Sequence, residues 1–301
     1  MKFSGHETFA IREGWLHKGL SMIMNHSERW ADEFVADHLG VGKNMAKGIR
    51  HWLIATGLAE SIPSENKMHR RELEATELGK LVWEHDPYFM EETTWWILHV
   101  NLANTPKQAG SWFWFFGHFG FDRFEKSVCL DRLRKYLESQ GSRMPSVRTL
   151  ERDLGCLLQS YAHVIPPYSD DPEEVNTCPL SELKLLTYYR SSGYYQLNLE
   201  NKEIPFHAFA YSFATSFDQA LTLGQTYEIP LLTVARKRGG PARVFALTNE
   251  GLFDLVQRYE AECSQTGIAI GGLAGERTVK LQWKEPLDWI EECYSSQAVP
   301  V

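Results

Sequence analysis

Apolar and polar residues alternate with helical spacing over the first part of the chain. Apolar positions recur every three or four residues from Thr8 to Met24 and again from Glu28 to Leu39. The sequence Leu39-Gly40-Val41-Gly42 then separates the second run from a third helix, which we predict from Lys43 to about Thr56. Two helices joined by a short turn that contains glycine are typical of a helix-turn-helix.

Two strand-like segments follow the third helix. Leu58–Ile62 reads as one strand and Arg71–Thr76 alternates as a return strand, with a polar, turn-rich segment between them. A helix-turn-helix followed by a hairpin is a winged helix, so we expect this fold at the N-terminus. Arg70 and Arg71 would lie on the wing, where they would contact DNA phosphates.

The third helix has a basic face. At ~100° per residue its cations fall on one side and its apolar residues on the opposite side. From His38 to Ala59 the sequence contains no Asp or Glu. Cations on such a face bind phosphates, and Asn and Arg can read base edges. We therefore predict duplex binding by Lys43, Asn44, Lys47, Arg50 and His51. The alternative is a solvated basic face on a domain that binds only protein.

A second arrangement of two helices followed by a hairpin is predicted further along the chain. A basic helix covers Leu130–Ser139, Ser146 is a favourable N-cap for a helix that reaches Tyr161, and Thr187–Leu197 resembles a hairpin with a Ser-Gly turn. Arg148 and Arg152 on the second helix are candidate DNA contacts. Glu151 and Asp153 would dilute this positive face, so ion pairing on a solvated surface is the alternative.

These patterns predict a mainly helical α+β fold. Its parts would be an N-terminal winged-helix domain over 1–90, an aromatic-rich helical region with a second winged-helix-like unit over 91–200, and a mixed α/β domain over 201–301. Approximate domain boundaries are predicted near 165–178, a segment rich in proline and acidic residues, and near 200–205. The aromatic block between Trp95 and Phe121 is expected to form core.

In the last third we expect a strand over Val244–Leu247 and a helix capped by Thr248 or Asn249. A hairpin around Ala274-Gly275 and a closing helix over Leu287–Tyr294 are expected after them.

Composition narrows the class of protein. The net charge of −8 excludes a uniformly basic polyanion-coating protein, although local basic faces remain compatible with it. We find no signal peptide and no apolar run long enough to span a membrane. The five cysteines lie far apart without a CxxC pair, which favours a reducing compartment. We therefore expect a cytoplasmic protein that does not associate with membranes.

Signatures of catalysis are sparse. The sequence has no phosphate-binding loop, no dinucleotide-binding glycine motif, no HExxH zinc motif and no nucleophile elbow, so no cofactor is evident. A nuclease would need carboxylates that hold Mg²⁺. The neighbouring His6 and Glu7 are the candidate catalytic pair, because His and Glu side by side can do acid–base or metal chemistry. The alternative is that Thr8 caps a helix and His6 packs in a turn.

The opening residues resemble a known family. The segments are Phe3-Ser4-Gly5-His6-Glu7-Thr8-Phe9 with Arg12 and Gly14-Trp15-Leu16, Leu39–Met45, Ile49–Leu53, Trp112–Phe116 and Ser146–Tyr161. Together they look like the bacterial DUF4007 family, whose members are encoded beside DNA phosphorothioation genes. The resemblance implies DNA binding and DNA nicking that prepares a site for sulfur insertion. It also implies a cysteine desulfurase, an ATPase and a sulfurtransferase as partners, but it supplies no catalytic triad.

Three hypotheses remain open at this point. In the first, the chain is a DNA-binding and nicking component of a phosphorothioation system. In the second, it is a winged-helix regulator that binds DNA without catalysis. In the third, it is an adaptor that binds the sulfur-transfer partners. Oligomers are compatible with all three.

Overall fold

The fold is a mixture of helices and small sheets in which helices predominate, as the sequence predicts. The computed structural model describes residues 1–63, 71–141, 144–166, 178–199, 202–217, 222–262, 267–273 and 275–297. It divides into two compact units, one formed by 1–115 with 119–197 and the other by 116–118 with 198–301. The three-domain division predicted from the sequence stays a prediction, and its approximate boundary near 165–178 lies mostly outside the described residues.

The first unit begins with a loop and a helical layer. Its elements are α1 (Trp15–His26), a 3-10 helix (Ser27–Ala31), α2 (Val35–Leu39), α3 (Lys43–Ala55), β1 (Ala59–Pro63), β2 (Arg71–Ala75) and α4 (Glu77–His85). The third helix and the two strands predicted from the sequence are confirmed. Gly57, with φ of 80°, terminates α3 in the left-handed conformation that glycine adopts without steric cost.

Two helix boundaries predicted from the sequence are wrong. The first helix begins at Trp15, because the preceding chain turns through positive φ values at Glu7, Thr8 and Gly14. Thr8 therefore caps no helix. The run from Glu28 to Leu39 is also broken, since the Asp32 carboxylate accepts a hydrogen bond from the Phe34 N–H and turns the chain there.

The remainder of the first unit surrounds an aromatic core. Its elements are α5 (Glu92–Asn104), α6 (Gly110–His118, whose last three residues fall in the second unit), β3 (Arg123–Phe124), α7 (Lys126–Ser139), α8 (Val147–Tyr161), β4 (Ala162–Ile165), a 3-10 helix (Pro179–Leu183), β5 (Leu186–Tyr189) and β6 (Tyr194–Leu197). Trp96, Trp112, Trp114 and Phe115 are buried, as expected for this block, whereas Phe121 is exposed.

The predicted hairpin at Thr187–Leu197 is confirmed as the antiparallel pair β5–β6. The sheet is larger than predicted, because β4 pairs in parallel with β5 and β3 pairs with β6, which gives the order β3-β6-β5-β4. The interpretation as a second winged-helix-like unit stays a prediction.

The second unit has its own core around α9. Its elements are α9 (Phe206–Phe217), β7 (Thr226–Pro230), α10 (Leu231–Arg236), α11 (Pro241–Val244), α12 (Asn249–Glu262), β8 (Ile268–Leu273), β9 (Glu276–Gln282) and α13 (Pro286–Gln297). The sheet order is β7-β9-β8, and all pairs are antiparallel. The hairpin β8–β9, the closing helix and the cap of α12 by Thr248 confirm the predictions.

The predicted strand over Val244–Leu247 is wrong. Pro241 follows Gly240 and starts the short helix α11, in which Val244 N–H donates to the Gly240 carbonyl. In the described part of the chain, no helix is long and apolar enough to cross a membrane.

Candidate nucleic-acid interface

The turn before α3 sets the direction of its basic face. Gly40 adopts a left-handed conformation after α2, and the Val41 N–H donates to the Ala36 carbonyl. Gly42 then starts α3 from an extended conformation. Ile49, Trp52 and Leu53 are fully buried on the inner side of α3, a distribution that leaves the opposite side to polar residues.

The predicted cations of α3 occupy that outer side. Lys43, Asn44 and Lys47 are exposed, and Arg50 is half-buried. Lys47 Nζ lies 3.5 Å from Asn44 Oδ1, so these two side chains lie side by side. The structure therefore brings four of the five residues predicted on α3 to one surface.

Arg50 and Arg71 converge on one serine. Arg50 Nη2 lies 3.0 Å and Arg71 Nε 2.9 Å from Ser61 Oγ, and Arg71 also donates to the Ser61 carbonyl. In the described residues, no carboxylate forms an ion pair with either guanidinium. Burial, first of all, and the charge of Arg71 lower the pKa of Arg50. Two cations that share a hydroxyl, with no carboxylate paired to either among the described residues, are suited to bind an anion.

The β1–β2 hairpin segregates its charges. Ser61 faces Leu73 in the register, and Arg71 lies two residues before Leu73 on the same side of the strand. Glu60 faces Glu74 on the alternate side. The basic side of the hairpin therefore continues the basic side of α3, and these carboxylates point the other way.

Glu7 is an acidic residue at the edge of this surface. Its Oε1 lies 3.7 Å from Lys47 Nζ, and both side chains are more than one third exposed. An exposed pair at this distance contributes little to stability. Glu7 nevertheless lowers the positive potential beside Lys47.

His51 is not part of the exposed surface. It is 6% exposed, and neither ring nitrogen has a hydrogen-bond partner in the described structure. Burial, above all, together with the neighbouring His6 and Lys2, lowers its pKa to about 3. His51 is therefore uncharged near neutral pH and lies beneath the loop that precedes α1.

His6 is buried in the same place, at 1% exposure. Its Nδ1 accepts a hydrogen bond from the Thr8 N–H, so Nε2 carries the proton and donates to Asp153 Oδ1 at 2.8 Å. The ring stacks on Trp52 with centroids 5.7 Å apart. These contacts account for His6 as a residue that holds the loop, and the catalytic role of His6 and Glu7 stays a prediction.

Asp153 is a residue whose role the sequence reasoning missed. We expected it on the exposed face of α8, but it is buried and binds three donors: the Ser4 N–H, His6 Nε2 and the Ser111 hydroxyl. Asp153 lies three residues after Leu150 and four before Leu157, which is the spacing of the apolar stripe. This spacing places the Asp153 side chain on the buried side of α8 and is the sequence signal that indicates its burial.

The other predicted contacts belong to other segments of the chain. Arg148 and Arg152 are exposed on α8, which is separate from α3 in the chain, and no ion pair to either is formed by the described residues. Arg70 lies outside the described residues.

Comparison with known proteins gives the family. The model described as "Protein of unknown function (DUF4007)" matches residues 3–294. The chain belongs to the DUF4007 family. A search of curated proteins found no match.

Solved structures with the same fold as this DUF4007 protein include two of SspB. A magnesium ion-bound SspB crystal structure is 23% identical, with a TM-score of 0.83, and the match covers 99% of this chain and 89% of that one. A second SspB crystal structure is 24% identical, with a TM-score of 0.81 and the same coverage. At these identities the likeness concerns the fold.

Proposed function

We propose that this DUF4007 protein binds double-stranded DNA through a winged helix-turn-helix made of α1–α3 and the β1–β2 hairpin. In this arrangement α3 enters the major groove, and the hairpin lies along the phosphate backbone. Lys43, Asn44 and Lys47 contact base edges and phosphates from the exposed side of α3.

The observation that carries this function is the convergence of Arg50 and Arg71 on Ser61. Their mutual repulsion is relieved when a phosphate comes between them, since each guanidinium can donate charge-assisted hydrogen bonds to its oxygens. Because one arginine comes from the helix and the other from the hairpin, a bound phosphate would fix both elements on the duplex. The basic pair thus supports a backbone contact rather than a solvated face.

We further propose that the protein acts in a bacterial DNA phosphorothioation and phage-defence system. Membership of the DUF4007 family and the shared fold with SspB support this placement. A cysteine desulfurase, an ATPase and a sulfurtransferase are the partners it predicts. A pull-down of these three proteins without DNA, together with no DNA shift, would favour the adaptor hypothesis instead.

DNA nicking is a further expectation from the family resemblance. One SspB structure contains a magnesium ion. In the described part of this chain, no three His, Cys, Asp or Glu side chains are grouped to hold a metal. We therefore assign no Mg²⁺ ligands and no catalytic step. Conversion of supercoiled plasmid to open circles in the presence of Mg²⁺ would separate a nickase from a regulator.

The decisive experiment compares the double variant Arg50→Gln, Arg71→Gln with the wild type and with Lys107→Gln. Lys107 is an exposed lysine of the same unit outside the proposed surface. Duplex affinity is measured by fluorescence anisotropy over a range of salt concentrations, and circular dichroism checks the fold. We expect the double variant to bind at least tenfold more weakly, with a salt slope smaller by about 0.9 for each lost phosphate contact. A folded double variant with unchanged affinity would contradict duplex binding by this surface.

A further inference from the structure

A basic groove of about 610 Å³ lies along α1, the 3-10 helix that follows it, and α2. Its polar lining is rich in cationic and histidine side chains and contains no carboxylate. These residues are His17, Lys18, His26, Arg29 and His38. Neither α3 nor the β1–β2 hairpin contributes to the lining.

The groove and α3 share only part of the surface of α1. Gly19 marks the inner side, because a Cβ there would meet the side chains of Ile49 and Leu53. At 100° per residue, Ser21 and Lys18 lie about 200° and 260° from Gly19, whereas the lining residues Met22 and His26 lie within about 60° of it. The lining contains no residue of α3 or of the β1–β2 hairpin. The groove and the proposed duplex-binding face are therefore separate surfaces of the same unit.

The lining of the groove carries two cations, Lys18 and Arg29, and no carboxylate. In the described structure, neither Lys18 nor Arg29 forms an ion pair. Four acidic residues lie on or between the same elements but outside the lining: Glu28, Asp32, Glu33 and Asp37. Glu28 Oε1 lies 3.8 Å from His26 Nδ1, and both of these side chains are largely exposed. An exposed pair at that distance is weak, and Lys18 and Arg29 themselves are left without an ion pair among the described residues.

An exposed aromatic side chain adjoins the groove. His17 Nδ1 donates to the Pro87 carbonyl at 2.8 Å, which fixes the orientation of the ring. The His17 ring stacks on Tyr88 with centroids 4.7 Å apart and on Trp83 with centroids 5.8 Å apart. Tyr88 is 70% exposed.

A second cavity of about 240 Å³ shares His17 with the groove, and Tyr88 contributes to its lining. Two carboxylates, Glu13 and Glu182, and one cation, Arg12, also line this second cavity, so it attracts phosphates less than the groove does.

We propose that this surface binds single-stranded nucleic acid, with the phosphates in the groove and a base stacked on Tyr88. A basic channel beside an aromatic platform is the combination that single-strand binding uses, because stacking requires an unpaired base. A free phosphate would need neither the length of the groove nor the aromatic ring. The inference concerns a surface apart from α3 and stands without the duplex-binding function.

The test uses the full chain and a fluorescein-labelled oligo(dT) of about 16 nucleotides, with a duplex of the same length as the second probe. The variants are Lys18→Glu and Tyr88→Ala, both at exposed positions where a failure to fold is not expected. Lys107→Glu and Phe34→Ala are the matched controls, since both side chains are exposed and line neither cavity. Lys47→Glu reports on the duplex-binding face.

We expect Lys18→Glu and Tyr88→Ala each to weaken oligo(dT) binding about tenfold and duplex binding less than twofold. Lys47→Glu is expected to do the reverse, and the controls to match the wild type. Absence of oligo(dT) binding by the wild type, unchanged affinity in both groove variants, or equal losses for the two probes would overturn the inference. Displacement of the oligonucleotide by inorganic phosphate at constant ionic strength would also overturn it, because the groove would then be a site for free phosphate. If the wild type binds oligo(dT) but not the duplex, single-strand binding by the groove is retained and the proposed duplex-binding function is contradicted.

Discussion

The imidazole Nε2 of His6 lies 2.8 Å from the Asp153 carboxylate, and 147 residues of sequence separate the two side chains. Asp153 also accepts hydrogen bonds from the Ser4 N–H and the Ser111 hydroxyl, each at 2.5 Å. The pair therefore joins the N-terminal loop to α8 inside the core of the first unit. Since the loop covers His51 and carries Glu7 to the edge of α3, the pair also positions one border of the candidate DNA surface.

Replacing Asp153 with Asn should destabilise the first unit. An amide oxygen in the Oδ1 position keeps the Ser4 N–H and His6 Nε2 as donors but without the negative charge. The amide N–H₂ then faces the Ser111 hydroxyl, which donates to Oδ2 in the wild type, in a buried site. We expect a loss of about 2–4 kcal/mol in the free energy of unfolding, measured with urea. The control is Asp131→Asn on the exposed side of α7, which should change it by less than about 0.5 kcal/mol. Equal stabilities of the two variants would show that the buried carboxylate does not hold the loop.

Gly5 is the position where the loop approaches the helix most closely. A Cβ at this residue would lie 2.6 Å from His51 Cε1, and the His51 ring is buried with its centroid 5.0 Å from that of Trp52. Gly5→Ala should therefore cost about 1–3 kcal/mol through overpacking. Gly120→Ala, where a Cβ meets nothing within 4 Å, is the matched substitution and should be close to neutral in the same thermal unfolding assay. A stable Gly5→Ala protein would mean that the loop can move off α3.

His51 should make the stability of the protein depend on pH. Its pKa is about 3 in the folded protein against 6.5 for the free side chain, so the unfolded chain binds the extra proton first. The stabilisation is complete above pH 6.5 and is lost as the pH falls toward 3, by up to about 1.4 kcal/mol per pH unit. Urea unfolding of the wild type and of His51→Gln between these pH values measures the effect. The variant should show a flatter profile, and parallel profiles would argue against a buried neutral His51.

Part of this architecture was predictable from local patterns and part was not. The amphipathic period and Gly57 were enough to predict α3, and the alternation around Leu73 was enough to predict the hairpin. The break in the helical run at Asp32 was not predicted, because the apolar residues continue at helical spacing through it. The hydrogen bond from the Phe34 N–H to the Asp32 side chain turns the chain there in spite of that spacing.

The His6–Asp153 pair was missed for a different reason. A contact between residues 147 positions apart depends on tertiary packing, which no local period encodes. The sequence predicted the two arginines of the Arg50–Ser61–Arg71 cluster but not their contact with Ser61. Both arginines were expected at the DNA, but their convergence on a single hydroxyl depends on how α3 crosses the hairpin.

Glu7 offers a test of the duplex-binding face in which the variant is expected to bind DNA more tightly than the wild type. Its carboxylate lies 3.7 Å from Lys47 Nζ, where it would repel a DNA phosphate and compete with it for the lysine. Glu7→Gln removes the negative charge and keeps the shape, so we expect two- to threefold tighter duplex binding at low salt. That gain should shrink as salt rises, because exposed charges are screened.

Glu84→Gln is the control for Glu7, since this carboxylate is exposed in the same unit but belongs to α4. Anisotropy titrations of both variants at several salt concentrations decide the matter. Tighter binding by both would report only the change in net charge. Weaker binding or no change in Glu7→Gln would place the DNA away from Lys47. If Glu7 takes part in nicking, Glu7→Gln would instead bind more tightly and leave plasmid supercoiled under conditions in which the wild type converts it to open circles.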